Sequence, residues 1–428
     1  MAHETLTTYE HHTIPVGGAG KGFSLTSNEQ SRLIDLSRLR PGFCKQGFQT
    51  VQFTQYAGLV NLGSRMLEIL PKVEEGAGDP ASGRATFLRL LRLAHPRSVL
   101  IDGPAHHQLW KHPLLEVFIE SFLAEVSRLV RTGLLKRYLT EEEDLPLVRG
   151  RLLISRQITH NALRADRLAC RFDQLTIDHP WNQILKAALV VIRPWITRLD
   201  LQRQQMELQA AFVDVSLCPL SLRDLDALVF DRQAARYEQA ISWARWILSA
   251  LTPNIRSGDA KAPGMLFDMN QLFESAILAL FKRRSRSTGL TVKGQDTGRH
   301  LATLMSSSDY SHAFRLRPDI VISEHGQPVA VADTKWTRIS AEGNGYLVPD
   351  PAHMYQIQAY AAAYPCEHFA LIYPWHAGIS NAKPTAYALP PIGTRKPVVS
   401  IVCIDVQSDH FTAASFPPTD FPKHFLHG

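Results

Sequence analysis

The chain has 428 residues, 45% hydrophobic and 20% charged, with a formal net charge of +6 and a pI of about 9.0; this is the profile of a soluble protein of two or three domains with apolar cores. The surplus of 46 basic over 40 acidic side chains is compatible with a polyanionic partner but too small to establish one. No apolar run reaches the roughly 18 residues of a membrane span, and Cys44, Cys170, Cys218, Cys366 and Cys403 are scattered without a C-x-x-C pair, which argues against a zinc knuckle and for a reducing compartment.

Three regions follow in chain order, giving an α/β fold class (a multidomain α+β arrangement). Residues 1–96 are mixed. Met1-Ala2-His3-Glu4-Thr5 lacks the basic-then-apolar pattern of a signal peptide, so a cytoplasmic protein is expected. Ser27-Asn28-Glu29-Gln30 leads into a helix through Leu36. Val51–Val60 and Arg65–Val73 read as strands joined around Leu62-Gly63-Ser64, Glu74–Pro80 as a turn-rich loop and Arg84–Leu93 as a helix. Residues 97–252 are mostly helical: Leu115, Phe118, Ile119, Phe122, Val126 and Leu129 recur at helical spacing between Pro113 and Gly133, and a second helix is predicted over Tyr237–Leu251. The acidic run Glu141-Glu142-Glu143-Asp144 reads as a solvated loop.

Residues 253–428 form an α/β region that carries the chemistry. Ile320–Ser323, Glu324–Pro328 and Val329–Ala332 read as strand, turn and strand, with Arg317-Pro318-Asp319 before and Asp333-Thr334-Lys335 after. If the hairpin folds about Gly326, Asp319 lies opposite Asp333, Val321 opposite Val331 and Ser323 opposite Val329. Side chains alternate along a strand, so Asp333 and Lys335 share a face with Asp319. The apolar residues on both faces mark a covered, central strand pair. Opposed like charges destabilise a sheet, and a divalent cation is the usual compensation. Mg²⁺ takes one or two carboxylates plus phosphate oxygens and waters. It can lower the pKa of a bound water and neutralise charge on a phosphate, and a neighbouring lysine could orient or deprotonate that water. The bland alternative is an ion cluster that ties two strands together.

Two helices flank the hairpin. Asp268-Met269-Asn270-Gln271 has the form of a capping box and opens a helix through Leu280. Glu274 sits at the edge of its apolar stripe, either leaning towards the metal site or serving as a boundary carboxylate. Met354–Tyr364 reads as a helix from which Gln356 or Tyr355 could face the site. His368–Tyr373 and Val398–Val402 read as further strands.

Phe273-Glu274, Arg317-Pro318-Asp319, Asp333-Thr334-Lys335-Trp336 and Tyr355-Gln356, in that order, resemble the PD-(D/E)xK nucleases. More narrowly the chain resembles the McrC family, nuclease subunits of modification-dependent restriction systems. Leu67-Glu68-Ile69-Leu70-Pro71-Lys72 resembles that family's N-terminal region; Arg149-Gly150-Arg151 and Asn182-Gln183-Ile184-Leu185-Lys186 resemble its middle. The resemblance implies metal ligation by Asp319 and Asp333, a catalytic Lys335, and supporting roles for Glu274 (also a candidate metal ligand) and Gln356. It implies a PD-(D/E)xK domain over 253–428 and a partner-binding region over 1–96. The cofactor would be Mg²⁺, with Mn²⁺ as a substitute. The partners would be double-stranded DNA containing modified cytosine and an oligomeric McrB-like AAA+ GTPase whose GTP hydrolysis the chain stimulates. The chain has no G-x-x-x-x-G-K-[ST] loop, so it is expected to bind no nucleotide itself.

The basic residues have two readings. Lys282, Arg283 and Arg284 could contact phosphates or serve as cations at a helix C-terminus. Arg315 and Arg317, which the register sets opposite Lys335, could hold the scissile phosphate or balance Asp319 and Asp333. Trp336 reads as core. The alternatives to a partnered endonuclease are a non-catalytic subunit that binds DNA or stimulates the GTPase, and a nuclease that acts alone.

Overall fold

A computed structural model describes residues 4–17, 23–63, 65–72, 79–95, 112–164, 166–218, 230–251, 265–286, 288–305, 310–407 and 413–415. Ser64, most of the 74–80 loop and the first three residues therefore lie outside the described residues. The chain divides into two compact units. One comprises Glu4–Val117 with Met265–Gly428, and the other Phe118–Gly264.

The first unit begins with a four-stranded sheet in the order Glu4–Tyr9, Arg65–Leu70, Tyr56–Asn61, Met265–Asp268. The last strand, which periodicity does not reveal, pairs antiparallel with Tyr56–Asn61. The chain thus returns from residues 118–264 to complete a sheet begun at its N-terminal end. Gly58 permits this closure: it has φ +135°, and a Cβ there would lie 1.9 Å from the Met265 carbonyl oxygen. The predicted Val51–Val60 strand is two strands, Thr50–Phe53 and Tyr56–Asn61. Between them the Thr54 hydroxyl donates to the Phe43 carbonyl (3.0 Å), turning the backbone out of one ladder and into the next.

The Ser27–Leu39 helix starts at a complete capping box, with Thr26 and Glu29 bonded reciprocally. The predicted Arg84–Leu93 helix runs over Pro80–Ala94, because Asp79 caps it and Pro80 fills its first position. Glu68 is fully buried. Its carboxylate accepts from Arg84 Nε (2.9 Å) and Nη2 (2.7 Å), from Thr7 Oγ1 (2.9 Å) and from the Leu114 N–H (2.8 Å). Glu68→Ala would strand the Arg84 cation with 11% of its side chain exposed. It is expected to cost about 3–5 kcal/mol of stability in urea denaturation.

The helix predicted between Pro113 and Gly133 runs over Leu114–Arg131, and the second unit also holds the helices Pro180–Ile192, Leu199–Ala211 and Glu238–Leu251, the last as predicted over Tyr237–Leu251. It also holds a three-stranded sheet of Arg137–Leu145, Leu168–Thr176 and Arg151–Leu152, set within a region that is otherwise mostly helical, as expected. Glu141–Asp144 is strand, not loop, with Glu142 and Glu143 exposed. Arg171 pairs with Glu142, and Arg156 lies 3.7 Å from both Glu142 and Asp144. Arg171 across the ladder and Arg156 from the Ile154–His160 helix relieve the repulsion that favoured a loop reading.

The rest of the first unit is built on a seven-stranded sheet. Its order is Thr291–Gly294, Ile320–Glu324, Gln327–Thr334, His368–Pro374, Val398–Ile404, Thr385–Ala388, with Ala413–Ser415 also paired to Val398–Ile404. The hairpin strands are antiparallel, and Gln327–Thr334, His368–Pro374 and Val398–Ile404 run parallel. The hairpin turns at His325 and Gly326, both with positive φ (49° and 82°), the backbone of a tight two-residue connection.

Ile320 pairs with Ala332 and Val321 with Val331, as expected, and Asp319 and Asp333 lie one residue beyond the Ile320–Ala332 pair. A shift between Ile322 and Ser323 places Ser323 opposite Pro328 instead of Val329; Pro328 has no N–H to donate to the ladder. Ile320, Ile322, Ala330, Val331 and Ala332 are fully buried, and each buried isoleucine contributes about 1.5–3 kcal/mol.

The Pro351–Ala363 helix covers the face that holds Val321 and Val331, through Ile357, Tyr360 and Ala361. It begins three residues before the predicted Met354, because Asp350 caps it and Pro351 starts it. The Met269–Ser285 helix packs against the strand of Asp333. It outruns the predicted end at Leu280, so Lys282, Arg283 and Arg284 lie within its last turn.

Candidate active site

Asp319 enters the hairpin one residue before its first strand, where its carbonyl accepts from the Gln295 N–H (3.1 Å). Its Oδ2 accepts from the N–H and the hydroxyl of Thr334, both at 2.7 Å. Thr334, a residue that motif spacing does not single out, thus fixes one acid from the strand that carries the other. Asp333 is 1% exposed. Its Oδ1 lies 3.3 Å from both Gln356 Nε2 and the Tyr360 hydroxyl. Lys335 Nζ stands 2.6 Å from Asp333 Oδ2, a charge-assisted contact at the inner edge of the site.

Gln356 is the amide that orders the lysine. Its Oε1 accepts from Lys335 Nζ (2.7 Å), and its Nε2 reaches the Tyr360 oxygen (2.8 Å). Tyr360 lies four residues on, one turn along the same helix face, and its hydroxyl can also donate to the Arg317 carbonyl (3.1 Å). That i, i+4 spacing was the signal by which Tyr360 could have been found in the sequence. Tyr355, the other candidate, is 76% exposed.

Glu274 accepts from Gln295 Nε2 at 2.7 Å, and Gln295 Oε1 in turn accepts from Arg317 Nη2. The register sets Arg317 opposite Lys335, but its guanidinium bonds to Gln295 instead. Arg315 pairs with His300 in a separate two-stranded hairpin and is exposed. Lys282, Arg283 and Arg284 lie eight to ten residues beyond Glu274 on the same helix, about 12–15 Å along its axis.

The electrostatics follow from three acids and few cations in a partly dry site. Burial, and then the Asp333 charge, push the Asp319 carboxyl up to about 6, against the pull of Thr334 and Lys335. Burial raises Asp333; Lys335 opposes the shift and Glu274 adds to it. Burial and Asp319 raise Glu274, opposed by Gln295, Arg317 and Lys335. Carboxyls that raise one another's proton affinity at one end of a sheet have the chemistry of a cation site. Among the described residues no three His, Cys, Asp or Glu side chains converge as a cage. The candidate donor set is the Asp319–Asp333 pair, which would suit a hard cation that completes its shell with water and phosphate.

Trp336 is core, as expected, with 9% exposure. Its ring packs on Phe273 with centroids 5.3 Å apart.

Fold and site together define an α/β protein with an acid–acid–lysine centre at the end of a central strand. The model of the family described as McrBC 5-methylcytosine restriction system component matches residues 51–374, and the chain belongs to that family. Among solved structures, it is similar to a chain of the tetradecameric assembly of Thermococcus gammatolerans McrB AAA+ hexamers with bound McrC. The TM-score is 0.69 at 19% identity, covering 99% of this chain and 98% of that one. It is also similar to a chain of the Thermococcus gammatolerans McrBC complex, with a TM-score of 0.49 at 22% identity, covering 65% and 88%. These are likenesses of fold. No curated protein matches the chain. No helix among the described residues is long and apolar enough to cross a membrane.

Proposed function

We propose that this chain is the DNA-cleaving, McrC-type subunit of a modification-dependent restriction complex, a Mg²⁺-dependent endodeoxyribonuclease of the PD-(D/E)xK kind. The observation that carries the reading is the half-buried Asp319 and buried Asp333 side by side at the end of the hairpin, with Lys335 Nζ 2.6 Å from Asp333 Oδ2. Family membership supports the restriction context.

Asp319 and Asp333 would hold Mg²⁺, or Mn²⁺ in its place, and the ion would supply charge neutralisation at the scissile phosphate. Thr334 keeps Asp319 from rotating away. Gln356 holds Lys335 Nζ beside the acids, where the ammonium can orient an attacking water or steady a phosphate oxygen. Tyr360 stays a hydrogen-bond donor, because burial and the Asp333 charge raise its hydroxyl pKa. Glu274 and Arg317, bridged by Gln295, border the place where the strand would lie; Arg317 and the exposed Arg315 supply positive charge for its backbone. Lys282, Arg283 and Arg284 would serve the same strand further out.

The chain has no phosphate-binding loop of the Walker type, which supports a separate motor. We assign that role to a McrB-like AAA+ GTPase that this chain stimulates. One structure similar in fold comes from an assembly of McrB AAA+ hexamers with bound McrC. Modified-cytosine recognition would belong to the partner. The test is reconstitution with such a GTPase on methylated and unmethylated duplexes. Cleavage that needs GTP, Mg²⁺ and methylation is expected. Full cleavage by the chain alone would favour a free-standing nuclease; GTPase stimulation without any cleavage would favour a non-catalytic subunit.

A further inference from the structure

One buried acid lies outside this centre and touches its edge. Glu10 is 2% exposed and follows directly on the Glu4–Tyr9 strand, its N–H donating to the Leu70 carbonyl (2.9 Å). Its Oε1 accepts from the Lys72 N–H (2.8 Å), just beyond the Arg65–Leu70 strand, and from Trp336 Nε1 (2.9 Å). Its Oε2 lies 3.2 Å from the same indole nitrogen. One carboxylate thus joins the ends of two strands of the four-stranded sheet to the residue after Lys335.

The position matters because the catalytic strand ends there. The ladder stops at Thr334, and one more backbone bond, from the Lys335 N–H to the Ile372 carbonyl (2.8 Å), follows. Beyond it the chain turns away, and Trp336 is the next residue fixed by a buried side-chain bond. Trp336 also packs on Phe273, the neighbour of Glu274. A polar group this deep is retained only with its partners in place.

Resting on the nuclease reading above, we infer that Glu10 is a positioning residue for the metal site. Through the Trp336 indole it sets the end of the Asp333-Thr334-Lys335 segment and the Phe273–Glu274 turn against each other. Burial pushes the Glu10 carboxyl up to about 7, while the Lys72 N–H and the indole draw it back, so a neutral side chain of the same shape fits the pocket. Because both donors converge on Oε1, the carbonyl of Glu10→Gln can accept both.

The test is Mn²⁺ titration of the full chain, followed by loss of the free-ion electron paramagnetic resonance signal. Asp333→Asn serves as the site control. Trp336→Phe, which keeps an aromatic ring toward Phe273 but removes the pyrrole half of the indole with its N–H, and Glu10→Ala are each expected to weaken Mn²⁺ binding about tenfold. Glu10→Gln should stay within about twofold of wild type. Melting curves separate this from a merely structural role, which would lower the midpoint and leave Mn²⁺ affinity unchanged in the folded protein. Wild-type affinity in folded Trp336→Phe and Glu10→Ala overturns the inference. So does wild-type binding that Asp333→Asn leaves untouched, or no binding at all. Site-specific Mn²⁺ binding that responds to Glu10 and Trp336, without cleavage by the reconstituted complex, would sink the nuclease reading and leave the positioning role standing.

Discussion

Asp333→Asn and Lys335→Met, each reconstituted with the GTPase partner, are expected to cleave DNA at least about a thousandfold more slowly than wild type, roughly 4 kcal/mol of transition-state stabilisation. The two residues fail for different reasons. Asn at 333 keeps an acceptor for Gln356 and Tyr360 but loses the charge that a hard cation needs. Met at 335 keeps the apolar stem but loses the ammonium that lies 2.6 Å from Asp333 Oδ2 and 2.7 Å from Gln356 Oε1. Stimulation of the partner's GTP hydrolysis should persist in both, since neither change touches the fold of the N-terminal sheet. Initial cleavage rates, with GTP turnover measured in the same samples, check this. Equal cleavage by wild type and both variants would remove these residues from the chemistry.

The second large effect has opposite signs with and without metal. Asp319 has a folded-state carboxyl at about 6, above its ordinary 3.8, so the fold binds that proton more tightly than the unfolded chain does. The stabilisation is complete below pH 4 and is lost as pH rises through about 6. Metal-free wild type should therefore melt lower at pH 8 than at pH 5. Asp319→Asn cannot ionise and keeps an oxygen for the Thr334 donors. In EDTA at pH 8 it should be more stable than wild type by about 1–3 kcal/mol, roughly 1–5 °C in melting midpoint. Saturating Mg²⁺ should raise the wild-type midpoint by mass action and leave the variant unmoved, and cleavage by the variant should fall as for Asp333→Asn. Asp333, Glu10 and Glu274 shift in the same direction, so the difference between wild type and variant, and not the wild-type slope, reports Asp319 together with its coupling to Asp333 and Glu274. A variant that melts below wild type in EDTA at pH 8 would show that the acid pair is not under electrostatic load.

The central hairpin was legible because its information is local. Two-residue alternation and a Gly at the turn determine which side chains oppose each other, and the register from Ile320–Ala332 to Val321–Val331 follows. The slip at Ser323 was not legible, because it depends on how Pro328 meets the partner strand. Helix starts at Pro80 and Pro351 were missed although Asp79 and Asp350 precede them; an Asp-Pro pair serves a turn as well as a cap. The acidic strand at Glu141–Asp144 was hidden because its compensating Arg171 and Arg156 are distant in sequence. So was the Met265–Asp268 strand, whose partner lies some two hundred residues earlier. The site divides in the same way. Asp319, Asp333 and Lys335 are set by one hairpin, and Gln356 by a helix face. Thr334 and Gln295 act through hydrogen bonds that no periodicity encodes, whereas Tyr360 lies one turn beyond Gln356 on the same helix face. Glu10 meets Trp336 across 326 residues of chain.

The most direct measurement is anomalous scattering from crystals of the chain soaked in Mn²⁺. A peak within coordination distance of the Asp319 and Asp333 carboxylates, absent from Asp333→Asn crystals, is the predicted result. Mn²⁺ missing from both carboxylates at a concentration that supports full cleavage would contradict a two-acid metal site.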